Sequence, residues 1–119
     1  MTPATPPNAA SETAAIGEMQ LRAMAAVIRA EIPEAEVRLF GSRARGEARP
    51  DSDVDLLVVM PHQGPAATQA ARIRQQLRAP FALDLIVRSP EVLRRRIKLG
   101  DSFLRGVMSE GKVLYESAR

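Results

Sequence analysis

Three aspartates are placed where they could do chemistry. Asp53 and Asp55 lie in DVDLLVVM, residues 53–60, and Asp84 lies in ALDLIV, residues 82–87. The first run is rich in branched aliphatics, too short for an ordinary helix and bounded by Pro50 and Pro61, so it is predicted to be a strand. Side chains alternate along a strand, which puts Asp53 and Asp55 on one face with Cα atoms roughly 6.5 Å apart. Two carboxylates held so close repel each other and lose hydration, and bound cations relieve both effects. Carboxylate oxygens are hard ligands suited to Mg²⁺, with Mn²⁺ as a substitute. The chain has no cysteine and one histidine, a donor set that argues against zinc. If the strand over 82–87 lies beside the first, Asp84 completes a three-carboxylate set. Such a set can hold two ions about 3.5–4 Å apart, one to activate an attacking hydroxyl and one to hold a triphosphate.

A second constellation lies just upstream. Residues 36–40, EVRLF, read as a strand that runs into Gly41-Ser42. Glycine there lets the backbone approach a ligand closely, and serine offers a hydroxyl donor. Arg43, Ala44 and Arg45 are expected to open a short helix whose backbone N–H groups and guanidinium charges face phosphate oxygens. A glycine-serine turn, an Asp-x-Asp pair or a lone strand aspartate is each a common structural feature. Their joint order along the chain points to nucleotidyl transfer.

The residues Gly41-Ser42-Arg43-Ala44-Arg45-Gly46 followed by Ser52-Asp53-Val54-Asp55-Leu56 resemble the GSxARG and SDxDL signature of the minimal nucleotidyltransferases, small members of the DNA polymerase β superfamily. The resemblance spans residues 36–116. It implies that Gly41 and Ser42 contact the β and γ phosphates, that Asp53 and Asp55 hold the metal ions, and that Asp84 is the third carboxylate, orienting or deprotonating the acceptor hydroxyl. Arg43 and Arg45 become further phosphate contacts. The implied reaction is attack by a hydroxyl on the α-phosphate of a nucleoside triphosphate, ATP by family default, with release of pyrophosphate.

The elements that must position these residues follow from periodicity and breakers. Residues 1–10, with three prolines, read as a flexible tail, and 11–119 as a single domain. Ser11 is a candidate N-cap for a helix that Pro33 stops, with Ile16, Met19, Ala23, Val27 and Ala30 as its core stripe. Residues 65–79 read as a second helix with Ile73 and Leu77 inward, linking the two aspartate strands. Residues 90–99 and 101–110 read as two short helices separated by Gly100, the first with Pro90 at N1 after a Ser89 cap. Gly111 precedes a last strand over 112–116. The expected fold is an α/β two-layer domain, a nucleotidyltransferase fold with a mixed, about four-stranded sheet flanked by helices.

At 119 residues, 45% hydrophobic and with only four aromatics, the chain has room for one aliphatic core and none for a second substrate domain. The acceptor must therefore dock on this domain or be presented by another chain. The N-terminus shows no basic n-region or apolar h-region, no run is long enough to cross a bilayer, and cysteine is absent, so a cytoplasmic protein is expected.

Net charge is +3, with cations concentrated in Arg72, Arg74, Arg78, Arg88, Arg94, Arg95, Arg96, Lys98 and Arg105. A solvated face is the simpler reading, because no aromatic residues interleave for stacking on nucleic acid. His62, between prolines, reads as a solvated loop residue. The favoured reading of the whole is an antitoxin of the minimal nucleotidyltransferase type that adenylylates a hydroxyl on a partner protein. The partner implied by the resemblance is a HEPN-family ribonuclease toxin. Transfer to a small molecule or RNA, and inhibition by binding alone, are the alternatives. A cationic small substrate would need an acidic pocket, and no spare Asp/Glu cluster is evident.

Overall fold

The computed structural model describes residues 17–49 and 51–115. Among them are helices α1 (Glu18–Glu31), α2 (Ser42–Arg45), α3 (Ala66–Leu77), α4 (Pro90–Lys98) and α5 (Ser102–Glu110), and strands β1 (Glu36–Phe40), β2 (Val54–Val59), β3 (Leu83–Arg88) and β4 (Lys112–Tyr115). The strands form one sheet in the order β3-β2-β1-β4. β1 runs antiparallel to both β2 and β4, while β2 and β3 are parallel and are joined through α3. The expected α/β fold with a mixed four-stranded sheet flanked by helices is the observed one. The proposed tail, Ser11 and Ile16 lie outside the described residues, whose helices include none long and apolar enough to cross a membrane.

Alternation along the strands divides the core in two. Val54, Leu56 and Val58 join Val37, Leu39, Leu85, Val87 and Leu114 under α1 and α3. On the opposite face Phe40, Leu57 and Val59 pack with Leu93 of α4 and Leu104 and Val107 of α5, with Ile86 against them. Asp55 and Asp84 share the parity of Leu57 and Ile86, so both belong to the second face.

Helix α1 buries a different stripe from the one expected. Leu21, Ala25 and Ile28 are buried, whereas Met19 is 86% and Val27 42% exposed, and Ala23 and Ala30 are exposed too. An alanine-rich helix carries two apolar stripes at helical spacing, and the one bearing the larger aliphatics at the sheet won. Ile28→Ala is therefore expected to cost about 2–5 kcal/mol and Val27→Ala no more than about 0.5 kcal/mol. Urea denaturation of the two variants checks the assignment. In α3 Ile73 is buried and Leu77 half-buried, as expected.

The last two helices are capped by side chains. Ser89 Oγ accepts from the Val92 N–H at 3.2 Å with Pro90 next in the chain, and Asp101 Oδ1 accepts from the Leu104 N–H at 3.0 Å. That bond is the main reason the Asp101 carboxyl is held below its usual range, with Arg96 adding to it. Gly111 follows α5 where the chain presses on β1. A Cβ there would stand 2.5 Å from the Val107 carbonyl oxygen and 3.0 Å from that of Leu39.

Candidate active site

Strand register brings the acidic residues together. Asp55 of β2 is level with Asp84 of β3 on one side and with Phe40 of β1 on the other. Asp53 stands one residue short of β2 instead of at its start. Asp55 is half-buried, and Asp53 and Asp84 are exposed. Burial raises the Asp55 carboxyl above its ordinary value, the charges of Asp84 and Asp53 raise it further, and Arg45 and Arg43 act in the opposite direction. Asp53 and Asp84 thus both lie within electrostatic reach of Asp55. Among the described residues, however, no three His, Cys, Asp or Glu side chains form a ready-made metal cage. The donor set still suits a hard divalent cation, since carboxylates that repel each other are what such an ion relieves.

Gly41 packs directly on this cluster. It has φ +77° and ψ −158°, and a Cβ placed on it would come within 2.1 Å of Asp55 Oδ2. Glycine at this position is expected to admit a ligand closely; its close neighbour in the structure is the Asp55 carboxylate. Ser42 opens α2 and is half-buried. The N–H groups of Ala44 and Arg45 both donate to the Gly41 carbonyl, at 3.1 and 3.2 Å. Those two donors, expected to face phosphate, are instead engaged within the turn.

The two arginines are placed differently from each other. Arg43 donates through Nη2 to the Ser52 carbonyl at 2.7 Å, and Ser52 Oγ in turn accepts from the Arg49 N–H at 2.7 Å. Arg43 so ties α2 to the segment that leads into Asp53, a bracing role that local sequence did not reveal. Arg45 is exposed and donates to Glu47 at 3.0 Å. That contact raises its pKa most, with Glu110 and Asp55 adding to the effect. Its charge is therefore within reach of Asp55.

The basic residues do not form one surface. Arg72, Arg74 and Arg78 are exposed on or just after α3, over the first face of the sheet, whereas Arg94, Arg95, Arg96, Lys98 and Arg105 are exposed on α4 and α5, over the second. Arg88 is half-buried and donates to the Val87 carbonyl. His62 lies past the end of β2 remote from Asp55, its Nδ1 3.1 Å from the Gly64 carbonyl.

The chain is similar to known nucleotidyltransferases. The family model described as "Nucleotidyltransferase domain" matches residues 21–113. A Methanocaldococcus jannaschii protein named "Putative protein adenylyltransferase MJ0604" is 34% identical over 80 residues, 67% of this chain and 77% of that protein. Among solved structures, a "putative nucleotidyltransferase" from Sulfolobus solfataricus has TM-score 0.62 at 20% identity, covering 90% of this chain and 86% of its own. A toxin-antitoxin crystallised with AMP-PNP has TM-score 0.55 at 22% identity, and the MntA-HepT toxin-antitoxin 0.52 at 19%, each covering 84% of this chain and 73% of its own. The structural likenesses show a shared fold, and the match over residues 21–113 shows the family: the chain belongs to the nucleotidyltransferases and is a nucleotidyltransferase enzyme.

Proposed function

We propose that the enzyme transfers AMP from ATP to a hydroxyl on a partner protein in the cytoplasm, and that this partner is a HEPN-type toxin neutralised by the modification. The observation that carries the catalytic part is the level placement of Asp55 and Asp84 on adjacent strands with the Gly41 backbone pressed against Asp55. The partner assignment is supported by a relative named for protein adenylylation and by fold neighbours that are toxin-antitoxin complexes.

In this reading Gly41 and Ser42 hold the β and γ phosphates. Arg45 exchanges Glu47 for a phosphate oxygen, since its exposed side chain is already close enough to sense Asp55. Arg43 acts as a positioning residue through Ser52. Asp53 and Asp55, with Asp84, would hold Mg²⁺, which when bound neutralises the carboxylates and polarises the phosphoryl oxygens. Asp84, exposed and level with Asp55, orients the acceptor hydroxyl and takes its proton. The hydroxyl oxygen forms a bond to the α-phosphorus, the bond from that phosphorus to the bridging oxygen breaks, and pyrophosphate leaves with the electron pair.

The test is label transfer from ATP carrying a labelled α-phosphate to the protein encoded beside this one, with Mg²⁺ present. Asp84→Asn is expected to slow transfer by about 10²–10⁴-fold while ATP still binds, and Asp53→Ala to abolish Mg²⁺-dependent transfer. Transfer at the unmodified rate in either variant would remove that residue from the site.

A further inference from the structure

Two apolar side chains stand in solvent at the corner where α4 gives way to α5. Leu99, which closes α4 one turn after Arg95, is 80% exposed, and Phe103, in the first turn of α5, is 49% exposed. The exposed residues near them in the chain are largely cationic: Arg94, Arg95, Arg96, Lys98 and Arg105. The corner is braced. Asp101 caps α5 and accepts from Arg96 Nε at 3.2 Å, and Arg105 reaches back to α4, donating through Nε to the Ile97 carbonyl at 3.1 Å. Two guanidinium groups are thereby held in place on exposed side chains, which lowers the cost of ordering them against a partner. The Phe103 ring is steadied by Phe40, edge-on at 83° with centroids 5.5 Å apart.

We propose that this corner docks the acceptor protein, with Leu99 and Phe103 seating an apolar centre on that partner and Arg95, Arg96, Lys98 and Arg105 facing a surround of Asp and Glu. The inference rests on the acceptor being a protein. Helices α4 and α5 pack over the second face of the sheet, to which Asp55 and Asp84 belong. Phe40, against which Phe103 rests, is level with Asp55 on the next strand, and neighbouring strands lie about 4.8 Å apart. An interface of ordinary size covers about 800 Å² on each partner, a patch roughly 30 Å across, so a protein seated on Leu99 and Phe103 reaches Asp55 and Asp84 as well. An apolar centre within a polar, arginine-bearing surround is the anatomy of such interfaces. Charge selects the occupant. A second copy meeting this surface by two-fold symmetry would set the same cations against one another. A nucleic acid would use the cations but gains nothing from an exposed leucine, and Phe103 is the one exposed aromatic residue among those described, too few for a stacking platform. An acidic protein surface with an apolar centre meets both features.

Binding kinetics with the purified protein encoded beside this one, together with transfer rates at varied concentrations of it, test the surface. Leu99→Ser and Phe103→Ala are each expected to weaken the complex about tenfold or more. Arg95→Glu combined with Lys98→Glu is expected to slow association about tenfold at low salt and to flatten its dependence on salt. In all three proteins the KM for the acceptor rises, while kcat at saturating acceptor and the affinity for ATP stay within about twofold of the unmodified values. Arg72→Glu combined with Arg74→Glu makes the same change of charge over the other face of the sheet and is expected to alter association by no more than about threefold. Affinity unaltered in both Leu99→Ser and the Arg95 and Lys98 double variant, or an equal loss in the Arg72 and Arg74 double variant, would overturn the proposal. So would a partner complex that survives every corner substitution while binding of a single-stranded RNA is lost, which gives the corner to nucleic acid, or while self-association is lost, which gives it to a second copy. Neither complex nor transfer with the unmodified protein would overturn the protein-acceptor reading itself, and the docking surface with it.

Discussion

Gly41→Ala is expected to fold and to lose transfer by about 10²-fold or more. Two separate effects combine. The backbone at φ +77°, ψ −158° lies in a region essentially restricted to glycine, and a side chain there costs of order 1–3 kcal/mol. The added Cβ would also fall 2.1 Å from Asp55 Oδ2 and 3.1 Å from its Cγ, so the carboxylate has to swing away or the turn has to shift. Either movement displaces a reacting group relative to the phosphate turn, and a misplacement of about 1 Å is enough for a loss of that size. Gly46→Ala separates the two effects. Gly46 also has positive φ, at 76°, but a Cβ there meets nothing within 4 Å. That variant should lose stability and keep transfer. Denaturation midpoints and initial rates of the two proteins side by side check the pair; a fully active Gly41→Ala would mean that the position of Asp55 is unimportant to the reaction.

Asp55→Asn should be nearly inactive yet melt at a higher temperature than the unmodified protein when both are measured in chelator without nucleotide. Burial and the charges of Asp84 and Asp53 hold the Asp55 carboxyl above its ordinary range, so its ionised form is disfavoured in the fold. A carboxyl whose folded pKa is raised binds a proton more readily folded than unfolded. Its contribution to stability is therefore complete below the unfolded pKa and falls as pH rises through the folded one. At neutral pH the ionised Asp55 is a net cost, which the amide removes while keeping the shape that packs on Gly41. The gain should shrink as pH is lowered through the raised range, where Asp55 takes up its own proton. Transfer should stay nearly absent at every pH, because the amide is a poorer ligand for the hard cation. Thermal melts at neutral and acidic pH give the sign directly, and a lower melting temperature for Asp55→Asn at neutral pH would show that the carboxylate is stabilised by its surroundings.

How much of this was legible in the sequence depended on how local the signal was. Strand β1 and the helix after Gly41 could be read because breakers and branched residues mark them within a few positions. The side-by-side placement of Asp55 and Asp84 was expected on the condition that their strands are neighbours, a condition only tertiary pairing could meet. The buried face of α1 differs from the expected one because alanines make two stripes look apolar, and only the sheet decides between them. Asp53 fell outside β2 because strand pairing begins at Val54, level with Leu83. The brace from Arg43 to Ser52 spans nine positions and the packing of Gly41 on Asp55 fourteen, and neither leaves a periodic trace. The cluster of basic residues looked continuous along the chain, but α3 and α4 carry it to opposite faces of the sheet.

The central claim is nucleotidyl transfer to a protein, and intact-mass spectrometry of the protein encoded beside this one tests it most directly. That protein is incubated with the enzyme, Mg²⁺ and each of the four ribonucleoside triphosphates in turn. The expected result is a mass gain in whole AMP units with ATP, absent with Asp53→Ala. A stable complex between the two proteins with no mass gain under any nucleotide would contradict it and leave inhibition by binding as the function.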